Sequence, residues 1–165
     1  METLISESSS DDDFDVARNL FQEYARTLGI DLCFQNFGEE LERIREIYSG
    51  PHRSLLLARQ GMRVVGCVAL RRLDADTSEM KRLYVRPEAR GRGVGRQLAV
   101  AIVERARAFG CRRVVLDTLP SMNAAQTLYR SLGFRDTAPY YANPVRGVVY
   151  LELSLPSSMP PSDRS

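Results

Sequence analysis

Hydrophobic residues recur at helical spacing in four stretches of the chain. The first two are residues 14–28, which follow an acidic run of helix-capping residues, and residues 39–48. The third begins at Val94 and ends at Gly110, and the fourth covers residues 121–131. Such spacing collects the apolar side chains on one face of a helix. The pattern therefore predicts four helices, each with an apolar face.

Short apolar runs bounded by turn residues predict the strands. They cover residues 54–59, 62–72, 79–86 and 113–118, and a last strand lies within residues 140–155. The first three are joined by short turns and are expected to be antiparallel, whereas the strand, helix, strand order from Leu83 to Thr118 implies a right-handed parallel crossover. We therefore expect an α/β fold around a mixed sheet.

The length and composition of the chain fit one globular domain. Of 165 residues, 44% are hydrophobic and 27% are charged, and the net charge is +2. We therefore expect a single domain over residues 1–155 and no nucleic-acid partner. The tail at 156–165 is rich in Ser and Pro and is predicted to be disordered. No apolar stretch reaches the roughly 20 residues that cross a bilayer, and the N-terminus lacks a signal-peptide pattern, so a cytoplasmic protein without a membrane partner is expected.

Residues that bind metals or form disulfides are few. Cys33, Cys67 and Cys111 are an odd set without C-x-x-C spacing, and each lies beside apolar sequence. The prediction is therefore three buried free thiols. His52 is the only histidine. Because the sequence contains no cluster of His and Cys, no metal site is predicted.

The run of residues 90–96 has the composition of a phosphate-binding loop. Its glycines permit left-handed backbone, so that successive N–H groups can point into one concavity. The N-terminus of the following helix and three arginines add positive charge. A solvated turn rich in Arg and Gly would have the same composition. The predicted phosphate-binding residues are Arg90, Gly91, Arg92, Gly93, Val94, Gly95 and Arg96.

Two better-known glycine motifs do not match this run. A P-loop ends in Gly-Lys-Ser/Thr, which is absent. The dinucleotide motif G-x-G-x-x-G, if it began at Gly91, would require glycine where Arg96 stands. The pattern that remains is R-x-x-G-x-G, with Arg90, Gly93 and Gly95 as its fixed positions.

The residues on both sides of this loop resemble one family. Before it, a strand ends in V-x-P, and after it comes the segment A-x-x-L-Y-x-x-x-G-F, formed by Ala125, Leu128, Tyr129, Gly133 and Phe134. Together they resemble the GNAT superfamily of acetyl-CoA-dependent N-acetyltransferases from about residue 79 to residue 134. The resemblance implies a mixed, mostly antiparallel sheet of about six to seven strands, splayed between two parallel strands and flanked by about four helices. It also implies acetyl-CoA as cosubstrate.

The resemblance assigns the cofactor contacts. The backbone of Leu83, Tyr84 and Val85 would bind the pantetheine arm, an N–H of this strand would polarise the acetyl carbonyl, and the pyrophosphate would lie on residues 90–96. Family members often have Asn seven residues before the helix tyrosine, a position that is Met122 here. Asn123, one residue later, either contacts the cofactor from a shifted helix start or faces solvent.

The catalytic roles follow from the same resemblance. Tyr129 occupies the position of the tyrosine whose phenol reaches the cofactor sulfur, which makes it the candidate proton donor; packing on the sheet is the alternative. Glu79, at the start of the strand that would carry the acetyl group, is the first candidate for the general base, and Asp117 is the second. Each carboxylate could instead form a structural salt bridge with one of the many arginines.

The predicted function is direct transfer of acetyl from acetyl-CoA to a primary amine of a small molecule, amino acid or peptide. Two alternatives stay open: a non-catalytic acyl-CoA-binding or sensory module, and a domain that binds nucleic acid through its arginines. A C-terminal edge strand could pair in a homodimer. His52 and Arg53 could meet an acceptor carboxylate. The other candidates for an acceptor cleft are Phe34, Gln35, Phe37, Tyr140, Tyr141 and Asn143.

Overall fold

The computed structural model describes residues 2–156, which form one seven-stranded sheet and five α-helices. The helices are α1 (Asp11–Leu28), α2 (Phe37–Glu42), α3 (Ile44–Tyr48), α4 (Val94–Ala108) and α5 (Asn123–Ser131). The strands are β1 (Thr3–Glu7), β2 (Ser54–Gln60), β3 (Arg63–Arg72), β4 (Thr77–Val85), β5 (Arg113–Thr118), β6 (Arg135–Asp136) and β7 (Val149–Ser154).

The sheet is mixed, which confirms the predicted fold class. Its strand order is β1-β2-β3-β4-β5-β7-β6, and every neighbouring pair is antiparallel except β4 and β5. The parallel pair comes from the crossover through α4, as the order of elements predicted.

Pairing between the two parallel strands stops early, and this positions the site. Only residues 77–79 of β4 pair with residues 113–115 of β5, although both strands continue beyond that point. In the same region, the pairing of β4 with β3 shifts: Cys67 lies opposite Tyr84, and Ala69 lies opposite Lys81. One extra residue on β4 therefore forms a β-bulge, which bends the strand. The predicted splay between two parallel strands is confirmed.

Each face of the sheet carries its own apolar core. On one face, residues of α4 such as Leu98 and Ile102 are fully buried, together with Phe134 after α5. On the other face, Phe21 of α1 and Tyr48 of α3 are buried, and their rings meet edge to face. The apolar faces of the amphipathic helices thus pack on both sides of the sheet, which lies between two helical layers.

The second predicted helix, residues 39–48, is two short helices. The backbone of Arg43 departs from helical values at φ −108 and ψ 23, and its guanidinium binds Glu39 on one side and Glu46 on the other. Strands β1 and β6 were not predicted from the sequence. The first is a five-residue edge strand on β2, and the second has only two residues, so neither gives a strong periodic signal.

Two further expectations need correction. Cys67 and Cys111 are buried free thiols as predicted, but Cys33 is exposed because its short 3₁₀ turn buries the preceding Leu32 instead. The C-terminal strand β7 is not an edge strand, since it lies between β5 and β6.

Two observations concern the extent of the chain. Of the tail predicted at 156–165, all but the first residue lies outside the described residues. Within residues 2–156, no helix is both long and apolar enough to cross a membrane.

Candidate active site

A buried ion pair holds the bulge of β4. Arg82 has a left-handed backbone, φ 60, and only 5% of its surface is exposed. Its guanidinium donates two hydrogen bonds to Glu40 of α2, at 2.7 and 3.0 Å, and lies over the ring of Phe37. Tyr48 donates a further bond of 2.9 Å to the same carboxylate. This pair was not predicted from the sequence, because β4 contains other charged residues beside Arg82 and Glu40 lies on a distant helix.

The two charges of this pair keep each other ionised. Burial alone would raise the pKa of Glu40, but the hydrogen bonds and positive charge of Arg82 hold it below its ordinary value. Burial alone would lower the pKa of Arg82, but its hydrogen bonds to Glu40 and the negative charge of Glu40 raise it instead. The bulge is therefore held to α2 by an ion pair that is buried from solvent.

A cleft of about 550 Å³ lies beside the bulge, at the opening between β4 and β5. It brings together most of the predicted cofactor-binding residues: Leu83, Tyr84, Val85, Arg90, Gly91, Gly93, Val94, Gly95 and Asn123. Two of the predicted residues do not line it. Arg92 is absent from the lining, and the guanidinium of Arg96 donates to the hydroxyl of Ser131 at 3.0 Å.

The glycine loop presents backbone donors to this cleft. Gly91 and Gly93 both have φ 80, and Gly93 is the N-cap of α4 without a side-chain capping bond. The first N–H groups of α4 are thus left for a ligand. Arg90 anchors the loop to β4, because its Nε donates to the carbonyl of Val85 at 2.9 Å. The arrangement can bind an anion such as a pyrophosphate.

A small cavity of about 40 Å³ adjoins the cleft and contains the candidate proton donor. The cavity and the cleft share Tyr24, Leu28, Leu83 and Leu119 in their linings. Tyr129 lines the small cavity with 7% of its surface exposed, and its hydroxyl bonds to no residue among those described. Burial raises the pKa of Tyr129 far above its ordinary value, so the phenol keeps its proton at neutral pH.

Tyr24 is a second phenol at the same place, and sequence analysis missed it. It lies on α1, lines both the cleft and the small cavity, and packs edge to face on Tyr84. Burial raises the pKa of Tyr24 to about 12. In the sequence, Tyr24 falls on the apolar face of the first predicted helix and was therefore predicted only to be a core residue.

The two candidate bases lie in different cavities. Asp117 lines the small cavity with Tyr129 and accepts hydrogen bonds from Tyr141 and from Asn143. Glu79 is buried and lines a separate cavity of about 440 Å³. It accepts a 2.6 Å bond from Tyr140 and a 2.8 Å bond from Arg71. Burial and these carboxylates raise the pKa values of Tyr140 and Tyr141.

The predicted acceptor residues are only partly brought together. Gln35, Tyr140 and Tyr141 line the 440 Å³ cavity, and Asn143 lines the small one. Phe37 packs on Arg82 instead. The side chain of Phe34 lies outside the described part of the molecule.

The expectation that His52 and Arg53 meet an acceptor is not supported by their positions. His52 packs on Phe109, and Arg53 donates to the carbonyl of Glu46 at 2.8 Å. Neither residue lines any of the three cavities. Among residues 2–156, no group of three or more His, Cys, Asp or Glu side chains is placed to hold a metal ion.

Comparison with known proteins identifies the family. Residues 16–134 match the model of the acetyltransferase (GNAT) family, and the chain belongs to this family. An uncharacterized N-acetyltransferase from Schizosaccharomyces pombe is 42% identical over 145 residues, which cover 87% of this chain and 89% of that protein.

Solved structures share the fold. An acetyltransferase from Streptococcus agalactiae has a TM-score of 0.75 at 25% identity, covering 93% of this chain and 98% of that one. A protein from Salmonella typhimurium, solved with its cofactor acetyl-CoA, has a TM-score of 0.69 at 20% identity and covers 99% of each chain.

We expect Glu40→Gln to lower the free energy of unfolding by about 3–5 kcal/mol at pH 7, because it leaves Arg82 buried without a counter-charge. Glu40 stabilises the fold fully above its ordinary pKa of 4.5, and this contribution is lost as the pH falls through its lower folded-state value. The difference between the two proteins in urea unfolding should therefore shrink in acid.

The matched control is Glu39→Gln, the neighbouring carboxylate, whose ion pair with Arg43 is exposed. It should change stability little at any pH. A pH-independent difference for Glu40→Gln, or equal effects of the two substitutions, would contradict the assignment.

Proposed function

We propose that this chain transfers the acetyl group of acetyl-CoA directly to a primary amine of a small molecule, amino acid or peptide. The observation that carries the proposal is the opening between β4 and β5. It connects a cleft with backbone donors for a pyrophosphate to a buried cavity that contains the unbonded phenol of Tyr129. Family membership and the acetyl-CoA in the Salmonella typhimurium protein support the same cosubstrate.

In this proposal the cofactor is held mainly by backbone groups. The glycine loop and the N-terminus of α4 bind the pyrophosphate, with Arg90 near it. Residues 83–85 of β4 have no partner strand on the β5 side, so the backbone groups that point to that side can bind the pantetheine arm, except the carbonyl of Val85, which accepts a hydrogen bond from Arg90. One of these N–H groups polarises the acetyl carbonyl and stabilises the oxyanion. Asn123 contributes from the start of α5.

The transfer releases one proton overall. The acceptor ammonium gives one proton to a base, and the free amine forms a C–N bond to the acetyl carbon. The C–S bond then breaks, the nitrogen loses its second proton, and the thiolate takes one proton from Tyr129, which is later reprotonated. Attack by an enzyme thiol is disfavoured, since burial raises the pKa of Cys67 and keeps it protonated.

Thermal unfolding with acetyl-CoA, CoA, ATP and NAD at equal concentration tests the cosubstrate. At a hundredfold excess over the dissociation constant, a native-state ligand raises the melting temperature by roughly 5–10 °C. We expect this shift with acetyl-CoA and CoA alone. Amine-dependent release of the CoA thiol then tests transfer.

The outcomes separate the candidate functions. A shift without thiol release for any amine would favour the acyl-CoA-binding module. Absence of a shift in folded protein would contradict the proposal.

We expect Tyr129→Phe to lower kcat by about 10²-fold or more, because the thiolate loses its proton donor. The affinity for acetyl-CoA should change little, since the ring and its packing on Phe134 remain. Tyr24→Phe is the matched variant, a phenol that lines the same cavity, and its decrease should be much smaller. A large loss in Tyr24→Phe with wild-type turnover in Tyr129→Phe would move the role to Tyr24.

We propose Glu79 as the general base, because it lines the cavity that has room for an acceptor. Glu79→Gln should lower kcat/KM by about 10²-fold or more, whereas Asp117→Asn should lower it far less. Circular dichroism of both variants checks that they fold. If Asp117→Asn alone causes the large loss, the base is Asp117, and Glu79 has only a structural role with Arg71.

A further inference from the structure

A mostly buried lysine in the acceptor region shares its counter-ion with an arginine. Only 10% of the Lys81 side chain on β4 is exposed, and its ammonium makes no hydrogen bond to any residue within 2–156. The nearest carboxylate oxygen, Oε1 of Glu79, is 3.9 Å from Nζ. This separation is beyond hydrogen-bond distance. A buried ammonium group without a hydrogen-bonded anion lowers the stability of the folded protein. A bound anionic ligand would remove this cost.

The carboxylates near Lys81 are already bound by other groups. Glu40 accepts two bonds from Arg82 and one from Tyr48. Glu79 accepts bonds from Arg71 and Tyr140. This cluster of five charged groups holds three cations, Arg71, Lys81 and Arg82, and two anions, Glu40 and Glu79. Within these ion pairs one positive charge is therefore unmatched, and burial and Arg82 lower the pKa of Lys81. Asp117 lines the small cavity with Lys81 but forms no ion pair with it, and it accepts hydrogen bonds from Tyr141 and Asn143.

Lys81 lies between the two candidate bases, in the linings of both of their cavities. It lines the 440 Å³ cavity with Glu79, and it also lines the small cavity with Tyr129. Gln35 lines both of these cavities as well, and its Oε1 is a buried acceptor without a partner in the described residues. A cation without a hydrogen-bonded anion and an unused hydrogen-bond acceptor thus border the same two cavities.

These two groups define the complementary ligand. The unmatched positive charge calls for a monoanion, and the Gln35 oxygen calls for an N–H donor. Glu79, in the larger cavity, adds a negative charge that suits an ammonium group. A polyamine would add positive charge beside Lys81 and is disfavoured. A zwitterionic amine that carries a carboxylate fits both requirements.

We propose that the acceptor is a small amine with a carboxylate, an amino acid or close analogue, whose carboxylate binds Lys81 and the guanidinium of Arg71. This inference rests on the proposed acetyl transfer. The chemistry is unchanged: the amine nitrogen gains the acetyl carbon, and the CoA sulfur leaves as the thiol. The carboxylate only positions the amine near the opening of the sheet.

The test uses the twenty protein amino acids, their α-carboxamides and the corresponding decarboxylated amines as acceptors. We expect kcat/KM to favour the best carboxylate acceptor over its amide by roughly 10- to 100-fold, the range for a charge-assisted contact. Lys81→Met should abolish this preference by raising KM, with kcat changed far less. Lys81→Arg should keep part of the preference.

The matched control is Arg72→Met. It removes one positive charge from the position after Arg71 on β3, and Arg72 does not line the cavity. This variant should keep the preference. Lys81→Met should be at least as stable as the wild type in thermal unfolding, because an unpaired buried charge is replaced by an apolar chain of similar length.

Calorimetric titration of the same acceptors into CoA-loaded protein separates the two proposals. Amides acetylated as well as carboxylates would overturn this inference and leave acetyl transfer standing. Amino acids that bind in a Lys81-dependent way without being acetylated would support the subsite and contradict the transfer. If no amino acid binds or reacts, or if Lys81→Met keeps the preference, the inference is wrong.

Discussion

The buried ion pair between Arg82 and Glu40 is the constraint on which the site depends. An arginine in the middle of a strand cannot enter an apolar layer without a counter-charge. Glu40 supplies it from α2, and the backbone of Arg82 takes a left-handed conformation that forms the bulge. The pairing of β4 with β5 ends at Glu79, three residues before Arg82. One charged pair therefore links the helix that borders the acceptor region to the strand that borders the cofactor cleft.

The two halves of the site use different chemistry. The cleft proposed for the cofactor offers backbone donors from the glycine loop, the N-terminus of α4 and the edge of β4 that does not pair with β5. The acceptor side relies on charged and phenolic side chains. Backbone donors suit a ligand with a fixed pyrophosphate, because their positions follow from the path of the chain. Side chains can be exchanged without altering that path, so they suit the group that sets acceptor specificity.

Adjacent tyrosines connect the acceptor side to both parallel strands. Tyr140 donates to Glu79 of β4, and Tyr141 donates to Asp117 of β5. Their rings pack on each other and on Tyr150 of β7. Because burial and the nearby carboxylates raise their pKa values, both phenols remain hydrogen-bond donors at neutral pH. The segment before β7 thus helps to orient both carboxylates, and Arg71 of β3 also binds Glu79.

The sequence by itself determined the features that depend on neighbouring residues. Periodic apolar positions predicted α1, α4 and the central strands, and the glycine run predicted the loop at the start of α4, because helical spacing, alternation and left-handed turns are local properties. The family motif covered Tyr129 for the same reason. Short elements such as β1 and β6 gave too little signal.

The tertiary structure decided everything that required distant residues to meet. The pairing of Arg82 with Glu40, the phenol of Tyr24 beside that of Tyr129, and the separation of Glu79 from Asp117 join residues far apart in the chain. So does the unmatched charge of Lys81, whose neighbours come from β3, β4 and α2. Charge balance in a buried site is a sum over all nearby groups, and a linear pattern does not specify which groups are near.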